Sequence, residues 1–117
     1  MTKTSEAKYV ADMLEYARKA VAMSEGVTVE TFNEDEKLQL ALAHLVQIIG
    51  EAAGRTGEAT RAALSSVAWS QIIGMRHRLV HDYGNINYDV VWDTATNDLP
   101  PLIAALEKFT PPEPPSA

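Results

Sequence analysis

Between Arg76 and Tyr83 the run RHRLVHDY brings together two arginines, two histidines, an aspartate and a tyrosine. An imidazole exchanges protons near neutral pH. A guanidinium stays charged and matches the geometry of a phosphate. Acid–base or phosphate chemistry is therefore what this cluster can support. His77 and His81 stand four apart, a spacing that can ligate a metal on a helix. However, no third ligand is supplied nearby, and the glutamate of a zinc-protease helix is missing. Neither a metal nor any other cofactor is expected.

The position of Arg76 needs a reason. At about 100° per residue, Ile72, Met75, Leu79, Val80 and Tyr83 share one apolar arc, and Arg76 falls near its middle. A buried guanidinium is costly unless a carboxylate, carbonyls or a bound anion answer it. Two answers stay open at this level. A structural ion pair with the preceding helix would use Glu51, which lies with His44 and Gln47 on the polar side of that helix. Alternatively, the apolar arc faces a second subunit and Arg76 lines the cleft between them. On a continuous helix His81 would sit about 140° from Arg76, on a different face. Either the helix ends near His81, or a second subunit completes the site.

The elements that must position this cluster are helical. Residues 5–25 place Val10, Leu14, Ala17 and Val21 on one stripe, and Gly26 is a plausible stop. In the next segment Asn33 can cap a helix with Glu36 completing a capping box, and Leu38, Leu42, Leu45, Ile49 and Ala52 form its buried stripe. Gly54 and Gly57 interrupt the pattern, so EATRAALSSV reads as a short helix or turn. A further helix runs from near Trp69 to about Asp82, where Gly84 and Asn85 tolerate a left-handed helix end. The last helical region starts near Asn87. Pro100 and Pro101 must kink or restart it, and Asp98 can cap the restart. The expectation is an all-α antiparallel four-helix bundle with an additional short helix and a kinked last helix. Residues 1–109 form this domain, and 110–117 form a proline-rich, poorly ordered tail.

Composition narrows the classes of function. The chain has 117 residues, 46% of them apolar, which suits one domain with a single core. It has no cysteine, so disulfides and thiolate chemistry are excluded. No apolar run reaches the length of a membrane span and there is no apolar signal core, so a cytoplasmic protein without membrane contact is expected. The net charge of −6 argues against broad nucleic-acid binding, leaving only a local contact.

The residues Arg76, His81 and Tyr83 match an Arg-x4-His-x-Tyr motif and resemble the HepT-like toxins of the HEPN superfamily of small helical ribonucleases. QIIGEAAGR before the motif, WSQIIGMRHRLVH through it and INYDVVWDTATNDLPPL after it extend the likeness over nearly the whole chain except the tail. The resemblance implies a metal-independent endoribonuclease toxin acting on RNA rather than DNA. His81 would act as general base or acid, Arg76 would hold the scissile phosphate, and His77 would assist. It also implies a homodimer whose two motifs line one cleft, and an MntA-type nucleotidyltransferase antitoxin that adds AMP to Tyr83. Two other readings remain. One is a non-catalytic helical module that binds a nucleotidyltransferase or presents substrate to it, which the acidic charge fits. The other is a purely structural dimer with Arg76 salt-bridged.

Overall fold

In a computed structural model of the chain, residues 3–82 and 84–109 are described, with side chains for 6–80 and 84–109. Helix α1, Lys3–Ser24, turns Val10, Met13, Ala17, Ala20 and Ser24 inward, while Leu14 and Val21 are half-buried at the edge of that stripe. Gly26 follows at φ +75°, a conformation that costs glycine little.

The helix expected to begin at Asn33 is two helices. Phe32 is fully buried and draws Val29–Glu34 into a short helix of its own, α2, capped by the Thr28 hydroxyl, which accepts from the Thr31 N–H at 3.1 Å. The backbone becomes extended only at Asp35, whose carboxylate accepts from the Leu38 N–H at 3.0 Å and caps α3, Glu36–Arg55. Asn33 lies inside α2, and Glu36, the first residue of α3, comes too early to close a capping box. Along α3 the buried face is wider than a single stripe and includes Leu42, Leu45, Val46, Ile49, Gly50 and Ala53.

Glu58–Ala63 forms the short helix α4. Its first turn is held by Glu6 of α1, whose Oε1 accepts from the Gly57 N–H and the Thr60 hydroxyl, both at 2.8 Å. Helix α5 covers Trp69–Arg78 and stops four residues short of the expected end at Asp82. The chain instead makes a small antiparallel hairpin, β1 (Val80–Asp82) with β2 (Asn85–Ile86), and Gly84 takes φ +80° in its turn rather than at a helix end. Helix α6, Tyr88–Asp93, is capped by the Asn87 side chain. It continues through a π turn, Thr94–Asp98, into α7, Leu99–Glu107.

That π turn stands where the sequence called for a kink or restart, and the helix runs on through it. Pro100 and Pro101 lack the N–H that an α-helical interior needs, and they sit in the first turn of α7, where it is not required. Asp98 makes no capping bond. It keeps helical angles, φ −92° and ψ −34°, so the chain has no extended break for it to cap.

The result is the all-α bundle anticipated from sequence. Helix α3 is central, with α1 and α5 against it, α6 alongside and α7 packed on α1. Among the described residues no helix is long and apolar enough to cross a membrane. The tail 110–117 lies outside the described residues.

Candidate functional site

Helix α5 is anchored at its start and basic at its end. The Trp69 indole N–H donates to the Arg61 and Leu64 carbonyls, at 3.2 and 3.0 Å. Arg61 donates to the carbonyls of Ala53 and Gly54 at the end of α3 and lies 5.9 Å from the Trp69 ring centroid. Ile72 and Met75 fasten the inner face of α5 to the core, and buried Leu79 does the same just past its end. Arg76, His77 and Arg78 occupy its last turn, where positive charge complements the carbonyl end of the helix dipole.

Arg76 is exposed rather than buried in the apolar arc. The arc presumed a helix running through Val80 and Tyr83, and α5 ends before either. The stem of Arg76 lies along α3 over Gly50, so close that a methyl group there would stand 2.8 Å from its Cγ. Among the described side chains, which do not include that of Asp82, no carboxylate lies within salt-bridge distance of its guanidinium. Glu51, the partner considered from sequence, instead accepts from Arg55 one turn along α3, at 3.2 Å on the exposed surface. Glu51 and Arg55 are neighbours at four-residue spacing. Arg76 approaches the helix at Gly50.

The guanidinium borders a groove of about 300 Å³ between α3, α5 and the hairpin. Gln47 forms its α3 wall, Ile73, Arg76 and His77 its α5 wall, and Val80 and Ile86 the hairpin side. Two charged or titratable groups thus meet a partly apolar floor, the usual makeup of a ligand cleft. The hairpin is tied to the helix end by the Asn87 N–H, which donates to the Leu79 carbonyl at 2.6 Å. Val80 pairs with Ile86 and Asp82 with Asn85, so the strand carries a bulge in the interval that holds His81. Bulges of this kind re-aim side chains and cluster beside active sites.

His81 is therefore on a strand, not on the helix of Arg76, which removes the 140° problem that a continuous helix would pose. The His81 side chain and the whole of Tyr83 lie outside the described residues. Sequence reading missed the hairpin contribution of Val80 and Ile86. The Gly84–Asn85 pair, with β-branched Val80 before it and Ile86 after it, was its signal. Among the described residues no three histidine, aspartate or glutamate side chains stand close enough together to hold a metal ion.

The HepT-like family, described as Ribonuclease HepT-like, matches residues 13–109. The chain belongs to this family. As a HepT-like chain it is 32% identical over 94 residues to TTE0752 of Caldanaerobacter subterraneus subsp. tengcongensis, provisionally named an RNase, with 80% of this chain and 84% of that protein covered. It is 29% identical over 109 residues to MJ0127 of Methanocaldococcus jannaschii, also provisionally an RNase, covering 93% and 90%. To the probable ribonuclease HepT of Thermococcus cleftensis it is 28% identical over 107 residues, covering 92% and 97%. No solved structure gives a significant match. The family match contains α5, the hairpin and the groove in full, so the cluster is part of the HepT-like domain and not an appendage to it.

On the opposite side of α5 from the groove, this HepT-like domain holds an aspartate in an unfavourable setting. The Asp98 carboxyl is pushed above the usual carboxylate range by partial burial and by the charge of Asp93, with Arg78 and a hydrogen bond from Gln71 opposing. Folding thus favours its protonated form. Its contribution to stability is present below the ordinary value of 3.8 and is lost as the pH rises through the raised folded value. Asp98→Asn, neutral throughout, should raise the unfolding midpoint at pH 7, and the gain should shrink towards zero as the pH approaches 3. Thermal unfolding of both proteins from pH 3 to 8 checks this, and a gain independent of pH would contradict it.

Proposed function

We propose that this HepT-like chain is a metal-independent endoribonuclease acting as a homodimer and serving as the toxin of a toxin–antitoxin pair. The observation that carries the reading is the exposed Arg76, unmatched by any described carboxylate, beside a groove whose hairpin wall bulges at His81. A positive group left open at a cleft suits an anionic ligand better than a structural ion pair does.

RNA supplies its own nucleophile. The 2′-oxygen bonds to the adjacent phosphorus while the bond from phosphorus to the 5′-oxygen breaks, leaving a cyclic phosphate and a free 5′-hydroxyl. His81 takes the 2′-hydroxyl proton as general base or returns one to the departing 5′-oxygen as general acid. Arg76 grips the non-bridging phosphate oxygens and stabilises the charge that grows on them, and His77 assists from the same turn. Apolar groups around the groove, Val80 at 48% exposed and half-buried Ile73 and Ile86, offer a surface for a second copy. Leu40, 51% exposed one turn before Ala43 on α3, extends that surface. A symmetric pairing there would set two motifs in one cleft.

The proposal includes regulation by an MntA-type nucleotidyltransferase that adds AMP to Tyr83. A phosphodiester and an adenosine on that phenol would bring negative charge and bulk to the segment that follows His81, competing with the RNA phosphate for Arg76.

Purified protein incubated with RNA and chelator should cleave it, and His81→Ala should lower the rate by about 10² to 10⁴-fold with the helical fold retained. Replacing the 2′-hydroxyl with hydrogen should stop cleavage of the wild-type protein. Cleavage that survives either change rules out this chemistry. Partner binding with no RNA loss in wild-type protein would favour the non-catalytic module. Mass spectrometry after incubation with the partner and ATP should find AMP on Tyr83, and AMP elsewhere would overturn that assignment.

A further inference from the structure

We propose that Gly50 is a positioning residue for Arg76, an inference that deepens the ribonuclease reading and rests on it for its catalytic consequence. Gly50 lies in the interior of α3, buried on the side that faces α5. Glycine there weakens a helix relative to alanine, so its presence calls for a packing reason. The reason lies within van der Waals reach. A Cβ at position 50 would meet Arg76 Cγ at 2.8 Å and Cδ at 3.1 Å, with the Ile72 carbonyl oxygen next at 3.4 Å. The first of these is closer than carbon atoms tolerate, and the last is an ordinary contact.

Cγ is not the loose end of the arginine. It is set by the first side-chain torsion, so it can leave only by changing rotamer or by moving the backbone of α5. A rotamer change at that torsion swings the guanidinium, four bonds further out, through several ångströms. By lacking a side chain, Gly50 lets the arginine stem lie flat on α3 and holds the charged end at the groove beside Gln47 and His77. Gly54 supplies the contrast. It is on the same helix one turn later, is exposed, and a methyl group there would meet nothing within 4 Å.

The test is a cycle of Gly50→Ala, Arg76→Ala and the double variant, with Gly54→Ala as the control, each read by RNA cleavage and by thermal unfolding. Gly50→Ala should lower cleavage about 10²-fold, the scale of loss that a displacement of about 1 Å can produce. In the Arg76→Ala background the same change should cost no further activity. Gly54→Ala should raise the unfolding midpoint by a few degrees, as an alanine in a helix does. Gly50→Ala should not, except where Arg76 is already alanine. Should Gly50→Ala fail to fold, the double variant must fold if Arg76 is the obstacle.

Wild-type rates in Gly50→Ala would overturn the inference, as would an equal loss in both arginine backgrounds. So would a double variant that cannot fold. If wild-type protein cleaves no RNA, the ribonuclease reading fails by itself and the four midpoints still decide the packing claim. An equal midpoint gain in both backgrounds would refute it.

Discussion

Arg76→Ala is expected to slow RNA cleavage by about 10² to 10³-fold, the scale at which loss of one preorganised charge-stabilising donor is felt. The helical fold should survive, because the side chain is exposed and makes no ion pair with a described side chain. Truncation removes only its stem from the surface of α3. Arg76→Lys tests the kind of contact. A lysine keeps the charge but presents one compact ammonium in place of a planar fork, so it should recover part of the rate and not all of it. Single-turnover cleavage with chelator present, together with the unfolding midpoint, separates chemistry from stability. A rate within about threefold of wild type in the alanine variant would remove Arg76 from the mechanism, whatever the fate of His81.

The bundle itself was legible because its signals are long and redundant. Twenty-odd residues of α1 and α3 repeat apolar positions at helical spacing, so the loss of any one position would not change the reading. What failed was local. Asn33 and Asp35 are both good caps, and only the burial of Phe32, a contact with distant Tyr88 and Trp92, decides between them. In the same way Asp98 has the right chemistry for a cap, but the chain passes through it as a π turn and leaves it no extended backbone.

The candidate site was legible in its residue types and not in its geometry. Two imidazoles and two guanidiniums within a few residues pointed to phosphate or proton chemistry whatever the backbone did. Their relative placement depended on where α5 stops. From Arg76 to Asp82 there is neither glycine nor proline, so periodicity carries the helix onward. Two short strands fall below what alternation can reveal. The consequence was a misplaced arginine. Drawn on a long helix it sits inside an apolar arc and asks for either Glu51 or a second subunit, whereas on the observed short helix it leans on Gly50 and faces a groove. An interior glycine in α3 was the one clue in the sequence to that contact, and nothing in its own segment says which side chain requires it.

Phe32→Ala should be the most damaging single truncation outside the groove, at about 3 to 5 kcal/mol. The ring is fully buried, 4.8 Å by centroid from Trp92 and 6.4 Å from Tyr88 in an edge-on arrangement. Short α2 has little else to hold it, since Phe32 is its one buried residue. Domains of this size have total stabilities of about 5 to 15 kcal/mol, so such a loss leaves a marginal fold and should lower the unfolding midpoint by about 10 °C or more. The effect should also reach the groove. Tyr88 is the first residue of α6, and it follows directly on Asn87, whose N–H holds the hairpin to Leu79. Loosening the ring against Tyr88 therefore frees the exit of the hairpin that carries His81. Amide exchange should show lost protection at Asn87 as well as in α2, at temperatures where α1 and α3 remain closed. Loss of protection confined to α2 would mean that the aromatic cluster anchors only its own helix, and the hairpin would then owe its position to α5 alone.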